Sequence, residues 1–281
     1  MQVSTSGYYA WRKRLTVPPK MKRIEAAQLV KNCFEENRRR YGSRRIQAGL
    51  QKAGERIGRF QVRQLMREQN LRAIQPKQFV PKTTDSRGTI ASPNLLKEPK
   101  IVESEAGRVI IGDITYLPLR GGKWCYLAIW QDKVTRRIIG WQLWETMTAD
   151  LVIGALRQAI KNGLIKRDAI IHTDRGSQYA ATEFRALLGR HSFRQSMSAK
   201  GNCYDNAQAE SFFSRFKAEL VEGGVFENVE RASSEVFSYI EGYYNRQRLH
   251  SSLGYKTPLE FEAELKTKDR RSRESLVSIS T

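Results

Sequence analysis

The sequence has 281 residues, 40% of them hydrophobic, so it has room for one large domain or two smaller ones with a proper core. Its 49 Lys and Arg against 29 Asp and Glu give a formal net charge of +20. The three cysteines (Cys33, Cys125 and Cys203) form no CxxC pair, and no apolar run could span a bilayer or act as a signal peptide, which argues against a disulfide framework, a zinc site and a membrane protein.

The positive charge is concentrated at the start of the chain. Residues 1–100 carry 23 basic and 7 acidic side chains, whereas residues 101–281 carry 26 and 22. Such a regional excess predicts a protein that binds a polyanion, above all nucleic acid. The unpaired cysteines fit a reducing cytosol, so a cytoplasmic protein is expected. A merely solvated basic surface is the alternative.

Residues 1–74 are predicted to form a basic helical module. Ile24, Ala27, Val30 and Phe34 follow the spacing of one helix face. A second helix is expected to begin at Ser43 as its cap and to end near Gly54, and a third follows the short GERIG connection. Two basic helices joined this way are typical of a helix-turn-helix.

Five arginines are expected on the exposed faces of these helices: Arg44, Arg45, Arg59, Arg63 and Arg67. We favour a module that holds double-stranded DNA, with Arg44, Arg45 and Arg63 as contacts. A small helical bundle with an ordinary basic surface is the alternative.

Residues 75–105 are predicted to be a linker, because four of the eight prolines fall there. From residue 106 to 225 three strands, VIIGDITYLPL, WCYLAIWQD and RRIIGWQLWE, are followed by alternating helices and short strands. This order predicts an α/β fold with helices on the faces of its sheet. Residues 226–265 are expected to form a helical extension that packs on this core, and residues 266–281 a disordered basic tail.

Three carboxylates are the leading candidates for chemistry. Asp113 lies within a strand-like run, Asp174 lies just past the apolar run AII, and Glu210 lies in a predicted helix. An acid inside a strand is costly unless a partner compensates its charge, and Mg²⁺ is a usual partner. In a basic chain, the three acids point to metal-dependent chemistry on a phosphodiester.

Other acids compete with these three. Asp132 stands at a strand end and could face the same cleft. Asp205 and Asn206 lie at the start of the long helix, and Asp150 lies at the start of another. For all three, a role as helix cap is the simpler interpretation. Asp168 and Glu183 are expected to face solvent.

Polar residues near the three acids have two open interpretations each. Lys217 lies seven residues after Glu210, on the same helix face, and could contact a phosphate or form a surface ion pair. His172 could touch a phosphate or water near the metals, or be a satisfied structural histidine, and Arg175 could contact DNA or shape the loop. The run YYNRQRLH, which includes Arg246, Arg248 and His250, could clamp nucleic acid or lock a terminal helix onto the domain.

Several long strings make the chain resemble a known family. HTDRGSQY, SMSAKGNCYDNAQAESFFSRFKAEL, YNRQRLHSSLGYKTPLEF, YGSRRIQAGL and STSGYYAWRKR occur in the expected order from about residue 4 to 262. They resemble the OrfB-type transposases of bacterial insertion sequences of the IS3 family, which are retroviral-integrase-like. One departure is Thr173, where the family more often has Ser.

The resemblance implies an RNase H-like core with a mixed five-stranded sheet, and a metal triad of Asp113, Asp174 and Glu210. It implies two Mg²⁺ or Mn²⁺ ions per site, strand cleavage at the element ends and transfer of the 3′-hydroxyl to target DNA. It also implies a nucleoid-associated homo-oligomer on the terminal inverted repeats, with an upstream-frame helix-turn-helix protein or fusion segment as partner. The rivals are a simple RNase H-like nuclease and a catalytically silent repressor.

Overall fold

The computed structural model describes residues 4–16, 21–76, 92–97, 105–198, 207–221 and 224–279. The chain divides into two compact units, Met1–Ile74 and Gln75–Thr281. Within the described residues no helix is long and apolar enough to cross a membrane. Cys33 and Cys125 are free thiols, and burial raises the pKa of each to about 11.

The first unit consists of four helices, α1 (Thr5–Thr16), α2 (Met21–Glu36), α3 (Ser43–Lys52) and α4 (Arg59–Glu68). Its core is formed by one apolar face of each of the last three helices. The buried members are Val30, Phe34, Ile46, Leu50, Val62, Leu65 and Met66. Ile24 departs from the predicted stripe, because it lies in the first turn of α2 and is 52% exposed.

Two predicted helix caps are wrong by one or two positions. Helix α3 begins at Ser43, and its cap is the preceding Gly42, which makes no side-chain capping bond. Asp150 lies in the first turn of the helix Ala149–Lys161, whose cap is Thr148. Each true cap has extended backbone angles, which a cap requires and a helical residue lacks.

The second unit is built on a mixed five-stranded sheet in the order β3-β2-β1-β4-β5. Its strands are β1 (Val109–Pro118), β2 (Trp124–Asp132), β3 (Ile138–Trp144), β4 (Ile170–Thr173) and β5 (Arg194–Met197). The first three strands form the predicted antiparallel meander. Strands β4 and β5 join it in parallel, as expected for strands reached through helical connections. The α/β, RNase H-like prediction is therefore confirmed.

Helices cover the sheet. They are α5 (Ala149–Lys161), the short α6 (Ser177–Ala180), α7 (Thr182–Arg190), α8 (Ala207–Leu220), α9 (Val229–Phe237) and α10 (Pro258–Ile279). Helices α5 and α7 bury one sheet face around Trp130, whose indole stacks on Phe184 and donates to the carbonyl of Val152. Aromatic residues of α8 pack against the C-terminal extension, where Phe212 contacts Tyr244 and Phe216 contacts Tyr239.

Two segments outside the sheet differ from the simple sequence picture. Within the predicted linker, Leu95 is buried and its N–H donates to Ser196, while the carbonyl of Pro93 accepts from Met197, so this piece lines the β5 edge. The predicted disordered tail is wrong as far as Ile279, because α10 continues to that residue. No proline or glycine follows Pro258, and Glu–Lys pairs one turn apart, such as Glu264–Lys268, support the helix.

Candidate active site

Two aspartates stand side by side on adjacent parallel strands. Asp113 lies in the middle of β1, and Asp174 directly follows β4. The ladder pairs Ile111 with His172, so the aspartates are each two residues beyond a paired position and point to the same face. Neighbouring strands are about 4.8 Å apart, which puts the two carboxylates within reach of one ligand.

A glycine lets Asp113 take this position. Its neighbour Gly112 lies against the ring of Trp130, and a Cβ at this position would overlap that ring. Each carboxylate also accepts a local backbone N–H, Asp113 from Ile114 at 2.8 Å and Asp174 from Gly176 at 3.0 Å. These bonds fix the direction of both side chains.

Both carboxylates resist ionisation. Burial, followed by repulsion from Asp174, raises the pKa of Asp113 well above its usual value, and burial raises the pKa of Asp174. The site is therefore a pair of crowded acids that needs a positive partner.

Glu210 approaches this pair from helix α8. Its charge adds to the rise in the pKa of Asp113, and burial raises the pKa of Glu210 itself. Its side chain is nevertheless exposed. In the part of the chain that the structure describes, no three His, Cys, Asp or Glu side chains converge closely enough to hold a metal ion.

Asp132, the strongest competing acid, has a structural role. One oxygen accepts from the backbone N–H groups of Val134 and Thr135, at 3.1 and 2.7 Å, and the other accepts from Gly107 at 2.6 Å. Asp132 therefore anchors the turn after β2, and both of its oxygens are engaged there. Asp168 and Glu183 are exposed as predicted, and Asp205 and Asn206 lie outside the described residues.

Lys217 lies on α8 above the far end of β1. Its ammonium is 4.1 Å from the ring centroid of Tyr116, a cation–π contact. Burial lowers the pKa of Lys217, and the charge of Asp113 opposes this effect. Among the described residues no ion pair joins Lys217 to Glu210, and its ammonium lies where the charge of Asp113 acts on it.

His172 is a structural residue. It is fully buried, and its two ring nitrogens contact the hydroxyls of Ser196 at 2.8 Å and Ser198 at 3.2 Å. Arg175 donates to the carbonyl of Ser198 at 2.9 Å, so it joins the loop after β4 to the end of β5. Both residues shape the loop that carries Asp174.

The C-terminal run divides into buried and exposed members. Arg248 is buried, pairs with Glu219 and lies over the ring of Tyr244. It also donates to His250, whose ring meets Tyr244 edge to face. For buried Arg248 this packing fits the alternative in which the run locks a terminal helix onto the domain, whereas His250 is half-buried. Arg246 is exposed and stays available.

In the first unit, Arg44 and Arg63 are exposed, whereas Arg45 is half-buried and stacks over Tyr41. A cavity of about 420 Å³ lies between the start of α3 and the end of α4. Three arginines line it, Arg63, Arg67 and Arg72, and no acid is among its lining residues. Such a lining favours a phosphate group.

Comparison with known proteins was made for the whole chain. The integrase core domain model matches residues 103–203 and a second integrase core model matches 191–258, while the HTH-like domain model matches 22–79. Transposase InsF of insertion sequence IS3A from Escherichia coli (strain K12) is 39% identical over 93% of this chain and 91% of its own length. The chain belongs to the IS3 family of transposases.

Further relatives agree with this membership. A 31 kDa protein of insertion element IS600 from Shigella sonnei is 36% identical over 92% of this transposase and 94% of its own length. Among solved structures, the HTLV-2 integrase catalytic core in complex with magnesium is 16% identical over 56% of this chain and 96% of that chain, with a TM-score of 0.42. At such a low score, the fold assignment rests on the strand order itself.

Sequence reasoning about this transposase missed residues that border the two sites. Arg72 lines the arginine cavity from the loop after α4. The sequence does not indicate this position, because a loop has no periodic pattern that shows where a side chain points. The ring of Tyr116 contacts the ammonium of Lys217. Only the alternation of Tyr116 with Leu117, which is buried on the other side of β1, could have indicated that Tyr116 is exposed.

Proposed function

We propose that this IS3-family transposase cuts one DNA strand at the ends of an insertion sequence and joins the exposed 3′-hydroxyl to target DNA. Asp113, Asp174 and Glu210 hold two Mg²⁺ or Mn²⁺ ions for both steps. The observation that carries the proposal is the pair of carboxylates side by side on β1 and β4, each with a raised pKa.

The residues fit a divalent metal. The donors are all carboxylate oxygens, the ligand type that Mg²⁺ and Mn²⁺ prefer. The acids crowd one another at a place where burial already disfavours their charge, so a cation would relieve both effects. When bound, a pair of such ions supplies an activated oxygen nucleophile and stabilises the leaving oxygen.

Each acid has its own task. Asp113 and Asp174 are fixed by their strands and by backbone hydrogen bonds, so they form the rigid half of the site. Glu210 is exposed on α8, and its charge already reaches Asp113. With its side chain turned toward the two aspartates, Glu210 would complete the set of carboxylates that hold the metal.

Lys217 holds the DNA phosphate beside the acids. The ring of Tyr116 keeps its ammonium at the end of the cleft, where burial lowers the pKa of Lys217. A phosphate oxygen would restore the lost electrostatic stabilisation. Among the predicted contacts, exposed Arg246 and the half-buried Arg175 extend the basic surface.

The first unit binds duplex DNA outside the cleft. Its arginine cavity accepts a backbone phosphate, and exposed Arg44 adds a second contact. On DNA the transposase acts as a homo-oligomer associated with the nucleoid. An upstream-frame helix-turn-helix segment helps it to find the terminal inverted repeats.

A strand-transfer assay on an element-end oligonucleotide tests the proposal. With Mg²⁺ present, the wild type should cleave and join, whereas Asp113→Asn, Asp174→Asn and Glu210→Gln should bind DNA but do neither. The matched controls are Asp168→Asn and Glu183→Gln, which remove exposed acids elsewhere. Joining by any triad variant would remove that residue from the site. Cleavage without joining by the wild type would favour a simple nuclease, and binding alone would favour a repressor.

A further inference from the structure

Two aromatic side chains are exposed where the sheet leads into the turn between β1 and β2. Tyr116 is 49% exposed and Trp124 is 48% exposed. Their rings meet edge to face with centroids 5.0 Å apart. The ladder pairs Tyr116 with Tyr126 and Trp124 with Pro118, so both rings are on one sheet face. Grouped exposed aromatics of this kind are typical of a binding surface.

One cation contacts one of the rings, and two more lie in the adjoining turn. The turn carries Arg120 and Lys123, both exposed, and Lys217 lies over the ring of Tyr116. No acidic residue occurs between positions 114 and 126. We call this set of two rings and three cations the aromatic hairpin. Rings interleaved with cations are the pattern by which proteins hold unpaired nucleic-acid strands.

The aromatic hairpin adjoins the carboxylate pair. The ladder between β1 and β4 ends at Ile111, and within the described residues no strand pairs with that edge of β1 between Gly112 and Leu117. Asp113 and Tyr116 both lie on this open stretch, about 10 Å apart along the strand. Because they are three positions apart, their side chains leave β1 on opposite faces and meet only across its open edge. Lys217 connects the two, because it contacts Tyr116 and its charge acts on Asp113.

We propose that the aromatic hairpin stacks on unpaired bases of the DNA strand next to the bond that is cut. Only unpaired bases expose the flat faces that Trp124 and Tyr116 can stack on, while the cations neutralise the adjoining phosphates. A second copy of this chain fits less well, since a symmetric contact would bring two sets of three positive charges together. The inference rests on the proposed function, because it places DNA in the cleft.

The test compares two probes of the same sequence. One is a blunt duplex oligonucleotide, and the other carries a short single-stranded tail that contains 2-aminopurine. Binding is measured with EDTA present, so that no cleavage occurs. The wild type should prefer the tailed probe by about tenfold, the size expected for stacking of one base, and should quench the 2-aminopurine. Trp124→Ala should bring the ratio near one and restore the fluorescence, whereas Trp124→Phe should keep most of both effects.

The control is Trp144→Ala. Trp144 is 54% exposed and opposite Tyr126 on the same face, but it precedes Glu145 and has no cation over its ring among the described residues. Its loss should leave the ratio unchanged. Thermal unfolding should show that all variants are folded.

Three results would overturn the inference. In the first, the wild type binds the tailed and blunt probes equally. In the second, both Trp124→Ala and Tyr116→Leu keep the wild-type ratio of tailed to blunt binding. In the third, sedimentation shows that Trp124→Ala loses self-association while it keeps that ratio. Failure of the proposed function is separate. If the wild type joins no DNA but its tail preference still depends on Trp124, stacking stands without transposition.

Discussion

The buried pair Glu219–Arg248 allows the role of the C-terminal run to be tested quantitatively. Their side chains are 1% and 5% exposed, and the guanidinium is 3.5 Å from the carboxylate. Tyr239 donates its hydroxyl to the other oxygen of Glu219 at 2.9 Å. Burial alone would lower the pKa of Arg248, but attraction to Glu219 outweighs it and the pKa is raised. Arg248 therefore remains charged inside the protein.

Replacement of Arg248 by Met leaves the Glu219 charge buried without its partner. Breaking a buried pair in this way costs about 3–5 kcal/mol of unfolding free energy. For a unit of this size each kcal/mol lowers Tm by about 2–4 °C, so we expect a fall of roughly 6–20 °C. The double variant Glu219→Met/Arg248→Met should recover most of the loss, because neither charge remains.

The measurement is thermal unfolding followed by circular dichroism. It is paired with a DNA titration at a temperature below the Tm of the least stable variant. The matched control is Arg246→Met, which removes an exposed arginine two residues earlier. Arg246→Met should keep the wild-type Tm and weaken DNA binding. Arg248→Met should lower the Tm and keep wild-type DNA binding. An Arg248→Met variant with normal Tm and weakened DNA binding would show that Arg248 contacts phosphate, and the packing argument would be refuted.

Three further predictions concern the two sites. Mn²⁺ at about 100 times its Kd should stabilise the wild type by roughly 2.7 kcal/mol, seen as a Tm rise of about 5–11 °C, and Asp113→Asn should abolish the rise while Asp168→Asn keeps it. Gly112→Ala should lower the unfolding free energy by about 1–3 kcal/mol and impair joining, because the added methyl overlaps the ring of Trp130 and displaces Asp113. Arg63→Ala and Arg67→Ala should each reduce the log–log salt slope of duplex binding by about 0.9, if each contacts one phosphate.

Each of these has an opposite outcome that can be measured. A full Mn²⁺ shift in Asp113→Asn would place the metal elsewhere. Wild-type stability in Gly112→Ala would mean that the strand moves without cost. An unchanged salt slope in both arginine variants would show that the cavity stays solvated on DNA.

The local spacing of apolar residues was sufficient to predict most of the helices and strands. The three strands, the helix that begins at Ala149 and the long helix with Glu210 follow from the spacing of apolar residues, because burial of one face depends on the neighbours along the chain. The same pattern placed Asp113 within a strand and Asp174 just after another. Long strings shared with the IS3 family then gave the family, and the comparison of whole chains confirmed it.

Tertiary structure alone decided what each polar side chain does, because its partner is distant in sequence. Asp132 looked like a ligand until Gly107 was seen to donate to it, and Arg248 looked like a DNA contact until Glu219 was found beside it. The register of the ladder between β1 and β4 decides whether Asp113 and Asp174 lie side by side, because the two residues are about sixty positions apart in the sequence. A sequence thus shows which charges are present, whereas the free energy of each charge depends on what the folded chain brings next to it.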